Sequence, residues 1–448
     1  MLRTLLTRRL YMPLASFLQG ESIFSCLHEL EQTQYWSSEE LRSRQFADLR
    51  DTFRAASHIP FYRARGYPTD LQTWADFLAL PILEKSEVRE NFEGLRNPGP
   101  GESRGHTSGS TGEPLRFTHG PAFRSRHEAG QWRARGWFGV RPGEGILAVW
   151  GRPVGTPREW NLLRLKSFLN HLLHVSAFDL SPSFIRSLYP QIRRLRPRLV
   201  YGYPSGLEVL ARQAEADGVR LDGLGVRLVA CTAEVLYGFQ RDLLARAFGA
   251  PVADVYGCGE FGSFAHQCPH GRMHVACENV LVEFLDDLAH PVPAGTPGQV
   301  VVTSLHNPGM PLIRYRVGDL AVPIEGGCPC GRNLPLMDVR TGKTGQMVRT
   351  AGGRMFSTEL FDYVNKSLLT SGHRQIRTFH VVQTALEDFT VRYVTEAEEP
   401  GPALAACEKG LREVLGAQVR IVFEKVEEIP RHPGGKLGYF TCQMPPEA

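Results

Sequence analysis

At 448 residues the chain exceeds the size at which a single hydrophobic core stops growing, so we expect at least two domains. The composition, 42% hydrophobic and 22% charged, is that of an ordinary globular protein and excludes a low-complexity chain. A formal net charge of +4 gives no argument for binding nucleic acid, and no apolar run is long enough to span a membrane.

The nine cysteines are an odd number in a long chain, which argues against a disulfide framework and for a reducing compartment. A cytoplasmic location is therefore expected. The first 21 residues alternate arginine with short apolar stretches. We expect a helix packed on the body of the protein there, while a targeting or interfacial segment is also compatible with the pattern.

Up to about residue 256, short apolar strands alternate with helices. One helix begins at Ser37 or Ser38, where Glu39 and Glu40 complete a capping signal. The strands are predicted at 146–150, 198–201, 226–231 and 252–256, and the helices at 121–138, 158–174, 181–195, 205–216 and 237–248. This alternation is typical of an α/β fold with a largely parallel sheet.

The pattern changes in the second half of the chain. Strands at 279–285 and 299–305 predict a β-rich part. The last hundred residues read as a helix near 358–369, strands at 377–383 and 388–394, a helix at 402–415 and a strand at 419–425. We therefore predict a large domain of residues 1–341 and a small α+β domain of residues 342–448, with antiparallel strands.

A loop at 106–115, with the sequence HTSGSTGEPL, is too rich in glycine, serine and threonine for a helix or strand. Its N–H groups and hydroxyls are suited to hold an anion, although most such loops are plain surface turns. The segment DVYGCGE at 254–260 ends a predicted strand with Tyr256, which can flank a planar base, and Glu260, which can hold a divalent cation.

Two further motifs follow. In LIRYRVGDL, at 312–320, Asp319 comes after Gly318 in a predicted turn, where its carboxylate can accept bonds from sugar hydroxyls. Near the C-terminus, PGGKL places Lys436 in a flexible loop. Taken alone, the first is more often an ordinary turn and the second a solvated lysine.

The succession TSGSTGEP, YGCGE, RYRVGD and GGKL resembles that of the adenylate-forming enzymes. The chain is most similar to their phenylacetate–CoA ligase branch, which includes the CapK-like proteins of capsular polysaccharide clusters. An early helix followed by a Pro-Phe-Tyr-Arg segment at 60–63 is typical of that branch. The resemblance implies an α/β fold with a large adenylation domain, parallel-rich sheets and a β-rich subdomain, followed by a small mobile α+β domain.

The resemblance also implies an activity and a set of site residues. The enzyme would use ATP and Mg²⁺ to convert a carboxylic acid to an acyl-adenylate, and would then pass the acyl group to coenzyme A. Tyr256 and Gly257 would lie at the adenine, Asp319 would bond the ribose, Glu260 would bind Mg²⁺ and Lys436 would act in adenylation. The β- and γ-phosphates would be held by Thr107, Ser108, Gly109, Ser110, Thr111 and Gly112.

The sequence departs from the family pattern at the domain boundary. The usual Gly-Arg-x-Asp-Asp reads GKTGQ at 342–346, so Lys343 or Arg340 would touch the nucleotide, and the acidic hinge is replaced by Gly345 and Gln346. Ala233 stands where a glycine before glutamate is common. Adenylation is compatible with this hinge, but the domain rotation that precedes thioester formation is put in doubt. An amine or a carrier-protein thiol as acceptor, and a non-catalytic relative that binds nucleotide or acid, therefore remain alternatives.

Two further groups of residues carry predictions. Cys268, His274, Cys328 and Cys330 have the ligand types of a structural zinc site, with His270 or Cys258 as alternative ligands. The substrate pocket is predicted to be flanked by Tyr201, Tyr203, Phe261 and Phe264. These rings favour an aromatic or arylalkyl acid, although aromatic residues at strand ends are usually core. The sequence leaves the oligomeric state open, a homodimer included.

Overall fold

The fold is taken from a computed structural model. It describes residues 2–106, 115–150, 167–177, 180–343, 348–349, 355–356, 375–376, 378–395, 397–398, 400–416, 418–429 and 440–444. Within these ranges the helices are α1 (Leu2–Leu6), a π-helix (Thr7–Tyr11), α2 (Met12–Leu18), α3 (Ile23–Thr33), α4 (Ser38–Ala56), α5 (Pro60–Ala64), α6 (Trp74–Leu78), α7 (Lys85–Glu90), α8 (Pro121–Gly136), α9 (Pro182–Leu195), α10 (Pro204–Ala216), a 3₁₀ turn (Asp222–Leu224), α11 (Gly238–Phe248) and α12 (Gly401–Leu415).

Most of the strands in the described ranges lie in the second half of the chain. They are β1 (Ser103–His106), β2 (Arg116–His119), β3 (Ile146–Trp150), β4 (Leu172–Ser176), β5 (Leu199–Gly202), β6 (Leu228–Thr232), β7 (Val252–Cys258), β8 (Gly262–Gln267), β9 (Met273–Val275), β10 (Val280–Leu285), β11 (Gly298–Ser304), β12 (Tyr315–Ile324), β13 (Leu336–Lys343), β14 (Val348–Arg349), β15 (Met355–Phe356), β16 (Thr378–Ala385), β17 (Asp388–Val394), β18 (Arg420–Lys425) and β19 (Phe440–Cys442).

Eleven of these strands form one sheet, in the order β10-β11-β12-β13-β9-β8-β7-β6-β5-β3-β4. From β4 to β7 every pair is parallel, and from β7 to β10 every pair is antiparallel. The predicted α/β part and the predicted β-rich part are therefore two halves of a single sheet. Strand β7 is the junction, since it pairs parallel with β6 on one side and antiparallel with β8 on the other.

Helices cover both faces of the parallel half. One face packs against the apolar sides of α9, α10 and α11, and the opposite face packs against α3 and α8. The antiparallel half buries its apolar side under α4 to α7 and the chain that links them. Layers of helix on a mixed sheet confirm the predicted α/β fold class, because each amphipathic helix needs an apolar sheet face to cover.

A separate small sheet follows the large one. Its order is β18-β17-β16-β19, and it has its own core around Phe379, Val391 and Leu411. Only the central pair, β16 with β17, is antiparallel, because β18 and β19 each pair parallel with their neighbour. The expectation of antiparallel strands is therefore right for the middle of this sheet and wrong for its edges. The predicted helix near 358–369 lies outside the described residues.

Local signals in the first half mark the helix boundaries well, with one exception. Ser37 caps α4 and forms a complete capping box with Glu40, as predicted. The predicted helix at 158–174 is wrong at its end, since Leu172–Ser176 is a strand that pairs with β3. The apolar residues of this segment form an edge strand because β3 is available to pair with them. A local helical pattern in the sequence carries no information about such a partner.

The N-terminal residues form the helix that the sequence predicts, packed on the body of the protein. Thr7 donates from its hydroxyl to the backbone oxygen of Leu169 at 3.0 Å. Within the described part of the chain, no helix combines the length and the apolar character needed to cross a bilayer.

Candidate functional site

Tyr256 and Asp319 meet at the junction between the two halves of the sheet. Tyr256 lies near the carboxyl end of β7 and donates from its hydroxyl to Asp319 Oδ2 at 2.9 Å. Burial, and then the neighbouring Asp319 carboxylate, raise the pKa of Tyr256 well above its ordinary value. The phenol therefore keeps its proton and orients the carboxylate.

The backbone around Asp319 differs from the predicted turn. Asp319 lies inside strand β12, where Gly318 has a φ of +88° and the register with β13 shifts between Asp319 and Leu320. The Gly-Asp pair thus marks an irregularity within a strand, because glycine supplies the left-handed backbone there. Lys343 pairs with Asp319 across the two strands, and Arg340 pairs with Leu320. The side chains of Arg340 and Lys343 lie outside the described part of the chain.

Glu260 follows β7 in the turn to β8, and it is only 4% exposed. Its Oε1 accepts a hydrogen bond from the Tyr315 hydroxyl at 2.9 Å and lies 4.0 Å from the Lys85 ammonium. Tyr315 is on β12, four residues before Asp319. Strands β7 and β12 therefore bring the predicted cation ligand and the predicted ribose ligand to one place.

Two histidines of the β2–α8 region hold the turn around Glu260. His119 bonds through Nε2 to the backbone oxygen of Glu260 at 3.0 Å, and His127 Nε2 accepts from the backbone N–H of Ser263 at 2.9 Å. Burial lowers the pKa of each ring to about 4, so both are neutral at physiological pH. His119 donates from Nε2 to the carbonyl of Glu260 on one side of the turn, and His127 accepts from the N–H of Ser263 on the other side.

Gly257 allows β7 to approach β8 closely. A Cβ at this position would lie 2.1 Å from the backbone oxygen of Gly262, which no real side chain permits. The glycine is therefore required by the backbone of the site itself. Its predicted place beside the nucleotide remains a prediction.

The predicted phosphate loop, with Thr107, Ser108, Gly109, Ser110, Thr111 and Gly112, lies outside the described residues. Its two flanks are described, and they form an antiparallel hairpin in which His106 pairs with Arg116. His119, which ends β2, contacts Glu260. The strands that carry the loop are thus anchored directly beside the predicted cation ligand. Lys436, Gly345 and Gln346 also lie outside the described residues.

The four aromatic residues predicted for the substrate pocket lie in different places. Phe261 and Phe264 are fully buried in the core of the antiparallel half, with ring centroids 6.4 Å apart. Tyr203 packs into the core beside α9 to α11, whereas Tyr201 lies on the opposite face of β5, where it lines a cavity of about 560 Å³. The rings of Phe261 and Phe264 thus fill the core, and one substrate pocket flanked by all four residues remains a prediction.

The predicted metal ligands Cys268, His274, Cys328 and Cys330 do come together. The turn after β8 supplies Cys268, β9 supplies His274, and the β12–β13 connection supplies both other cysteines. The four ligand atoms all lie within 4.8 Å of one another. The Sγ atoms of Cys268 and Cys328 are 3.6 Å apart, and Cys330 Sγ is 3.3 Å from His274 Nε2.

This spacing fits a tetrahedral ion better than a disulfide. A disulfide needs about 2.05 Å between sulfurs, whereas two zinc-bound thiolates, each about 2.3 Å from the metal, are about 3.8 Å apart. Burial lowers the pKa of His274 to about 4, so its ring is neutral and able to act as a ligand. The alternative ligands His270 and Cys258 are not among the residues that converge in the described structure.

Four residues of the site were not singled out from the sequence: Tyr315, Lys85, His119 and His127. Tyr315 could have been found, because it precedes Asp319 by four residues in one motif. Lys85 offered no such signal, since it reaches Glu260 from a short helix far away in the chain.

Comparison with known proteins agrees with the sequence motifs. No protein-family model matches the chain. It is 25% identical to a phenylacetate-coenzyme A ligase from Thermus thermophilus, over 67% of this chain and 70% of that protein. It is 23% identical to protein CapK from Staphylococcus aureus, over 81% of this chain and 80% of that protein. The predicted resemblance is confirmed: phenylacetate-coenzyme A ligases and CapK are relatives of this chain.

A solved structure has the same fold. It is 2-hydroxyisobutyryl-CoA ligase in the postadenylation state in complex with R3-HIB-AMP. The TM-score is 0.73 at 20% identity, over 92% of this chain and 91% of that one. The predicted fold class is thus confirmed, both by the mixed sheet with its smaller companion and by this match.

Proposed function

We propose that this chain activates a carboxylic acid with ATP, releasing pyrophosphate, and transfers the acyl group from the acyl-adenylate to coenzyme A. The observation that carries the proposal is the convergence of Tyr256, Asp319 and Glu260 at the end of β7. Ligands of open α/β sheets bind beyond the carboxyl ends of parallel strands, and β7 is the last of them here. The relatives named as phenylacetate-coenzyme A ligases support the same activity.

The first half-reaction joins two anions. A carboxylate oxygen of the acid attacks the α-phosphorus of ATP, and the bond from that phosphorus to the pyrophosphate oxygen breaks. Positive charge and N–H donors must offset the developing negative charge, and most of the rate enhancement comes from such preorganised groups. The loop at 107–112 would hold the leaving pyrophosphate, and Lys436 would contact the carboxylate and the α-phosphate.

The described residues would hold the nucleoside. Tyr256 would lie against the adenine. Its hydroxyl donates to Asp319, whose carboxylate oxygens would accept bonds from the ribose hydroxyls. From β13, either Lys343 or Arg340 would reach the nucleotide. The backbone of Lys343 pairs with Asp319, and that of Arg340 pairs with Leu320. Gly257 leaves this edge of β7 without a side chain.

Glu260 fits a Mg²⁺ ligand on its own chemistry. Its buried carboxylate is met by a neutral hydroxyl from Tyr315 and by an ammonium group from Lys85 at 4.0 Å, so its charge is incompletely compensated. An ion bound there would neutralise phosphate oxygens when ATP is present. His119 and His127 hold the turn that aims this carboxylate.

In the second half-reaction the thiol of coenzyme A gives up its proton and its sulfur attacks the acyl carbonyl carbon. The bond from that carbon to the AMP oxygen then breaks, which leaves a thioester and AMP. An arylalkyl acid is the first substrate class to test, because the sequence relatives named above include phenylacetate-coenzyme A ligases.

We further propose that the three cysteines and His274 hold a structural Zn²⁺ ion. With four protein ligands no coordination position is left open for substrate, so the ion stabilises the fold and takes no part in the reaction. It would tie the turn after β8 to the β12–β13 connection. Glu260 lies just before β8, and β12 carries Asp319. The ion would therefore stabilise two strands that border the site.

Product analysis tests the proposed transfer. The purified chain is incubated with ATP, Mg²⁺ and phenylacetate, with and without coenzyme A, and the products are separated and identified by mass spectrometry. The proposal predicts AMP and an acyl-CoA thioester that forms only when coenzyme A is present. Acyl-adenylate that accumulates unchanged beside coenzyme A, but is consumed by an added amine or carrier protein, would establish the alternative acceptor.

A further inference from the structure

The helical run at residues 2–18 exposes several large apolar residues and buries two polar ones, although Met12 packs inward against an apolar cluster. Thr7 and Ser16, both small and polar, are each only 5% exposed and face the body of the protein. Leu10, Leu14, Phe17 and Leu18 are between 58% and 78% exposed. A surface helix of a globular protein normally buries such residues, so an outward row of leucine and phenylalanine indicates a partner surface.

The orientation of this run is fixed by contacts on its inner side. The hydroxyl of Thr7 donates to the Leu169 backbone oxygen at 3.0 Å, and Ser16 donates to the Glu21 backbone oxygen at 3.0 Å. The helix backbone also lies close on Gly143, where a Cβ would approach the oxygen of Thr4 to 2.8 Å. The inner side therefore holds the run to the body, and the apolar side cannot turn inward without breaking these contacts.

The charge of the segment identifies the kind of partner. Residues 1–20 contain three arginines and no aspartate, glutamate or lysine. Arg8 and Arg9 are exposed. An exposed apolar row flanked by arginine alone complements a surface that is apolar beneath an anionic layer, which is the chemistry of an anionic lipid bilayer. A protein partner with a surface of mixed charge would give no reason for acidic residues to be absent from this segment.

We propose that residues 2–18 bind the surface of an anionic membrane, with Leu10, Leu14, Phe17 and Leu18 inserted among the acyl chains and Arg8 and Arg9 at the headgroups. The segment lies in the plane of the interface and does not cross the bilayer. The protein would thus work at a membrane surface. The inference is independent of the proposed function, because it uses none of the residues of that site.

Vesicle co-sedimentation of the full chain tests the proposal. The protein is mixed with phosphatidylcholine vesicles and with vesicles that contain phosphatidylglycerol, at low and high salt. We expect binding to the anionic vesicles alone, weakened by salt. Because each arginine near such a surface contributes about 1 kcal/mol, R8Q/R9Q should bind roughly 30-fold more weakly.

A second variant tests the apolar row. Burial of a leucine or phenylalanine side chain is worth about 1.5–3 kcal/mol, so L14S/F17S, which loses part of two, should bind at least about tenfold more weakly. The matched control is L288S, which removes a leucine that is 76% exposed elsewhere on the surface. All variants should keep wild-type melting temperature and wild-type turnover in solution.

Three results would overturn the proposal. Wild-type protein that stays in the supernatant with anionic vesicles would do so, as would equal binding by L14S/F17S and L288S. The third is a concentration-dependent dimer in sedimentation velocity that L14S/F17S abolishes, without vesicle binding, since the apolar row would then face a second copy of the chain.

Discussion

The hydrogen bond from Tyr256 to Asp319 gives the most direct test of the nucleotide site. Tyr256→Phe removes one oxygen and leaves the ring, so the face offered to the adenine is unchanged. Asp319 Oδ2 loses a donor at 2.9 Å and is no longer held in one orientation. The expected consequence is weaker binding of ATP, with little change in the rate of the chemical step once the nucleotide is bound.

The size of the effect follows from the bond. A hydrogen bond to a charged acceptor is worth about 1.5–3 kcal/mol, and the partial exposure of Tyr256 lowers this to about 1–2 kcal/mol. At about 1.4 kcal/mol for a factor of ten, the apparent KM for ATP should rise roughly 5- to 30-fold. Because the pKa of Tyr256 lies well above its ordinary value, the variant should leave the pH profile between about pH 6 and 9 unchanged.

The chain contains a matched control. Tyr189 donates to Asp217 Oδ2, also at 2.9 Å, at a place remote from the sheet junction. Tyr189→Phe breaks the same type of bond and should leave the KM for ATP at its wild-type value. Steady-state kinetics with varied ATP, together with calorimetric titration of AMP, measure both variants. A KM for ATP in Tyr256→Phe within twofold of wild type, or an equal rise in Tyr189→Phe, would refute the assignment of Tyr256 and Asp319 to the nucleotide.

Three other predictions concern the metal, the buried histidines and the backbone. Purified protein should contain about one zinc ion per chain, measured by atomic emission. The Cys330→Ser variant should lose this zinc, and the control Cys442→Ser should keep it. Zinc retained by Cys330→Ser would contradict the site. Because burial lowers the pKa of His127 from 6.5 to about 4, its protonation favours the unfolded state, and about 2 kcal/mol of stability should disappear between pH 7 and pH 5. In urea titrations at both pH values, His127→Gln should show a correspondingly smaller drop; the same drop as wild type would exclude this cause. Ala233 has a φ of +68°, a left-handed backbone that favours glycine. Ala233→Gly should therefore keep or raise the melting temperature, whereas Ala233→Val should lower the free energy of unfolding by about 1–2 kcal/mol. The reverse order would argue against backbone strain at this position.

Local sequence signals predicted most of the first half of the fold. The capping box at Ser37 and the apolar runs at β3, β6 and β7 are recognisable because each depends on neighbouring residues only. Leu172–Ser176 was misassigned as helix because its pairing with β3 is a tertiary contact. The joining of two predicted parts into one sheet depends on β7 accepting β8 on its second edge, and no local pattern encodes that.

The candidate site shows the same division. The motifs around Tyr256, Glu260 and Asp319 are readable because each lies within a few residues of a strand end or a glycine. The hydrogen bond from Tyr256 to Asp319 joins β7 to β12, which β8, β9 and β13 separate in the sheet, and the approach of Lys85 to Glu260 comes from α7. Both contacts join residues far apart in the chain, so only the folded structure reveals them.

The surroundings of the aromatic residues are hard to predict for a related reason. Aromatic residues after a strand can line a pocket or fill the core, and the choice depends on what covers the sheet. Phe261 and Phe264 pack under α4 to α7, and no local sequence pattern fixes where these helices lie on the sheet. The four residues predicted as metal ligands do converge, and their zinc ion stays a prediction.

Acid-dependent exchange of radiolabel between pyrophosphate and ATP measures the central claim most directly, since it reports adenylation whatever the acyl acceptor. With Mg²⁺ and a panel of arylalkyl, aryl and aliphatic acids, the chain should catalyse exchange with at least one acid and none without acid, and Lys436→Ala should exchange far more slowly. Exchange by wild-type protein that stays at background with every acid would contradict the account and favour a relative that binds nucleotide or acid without turnover.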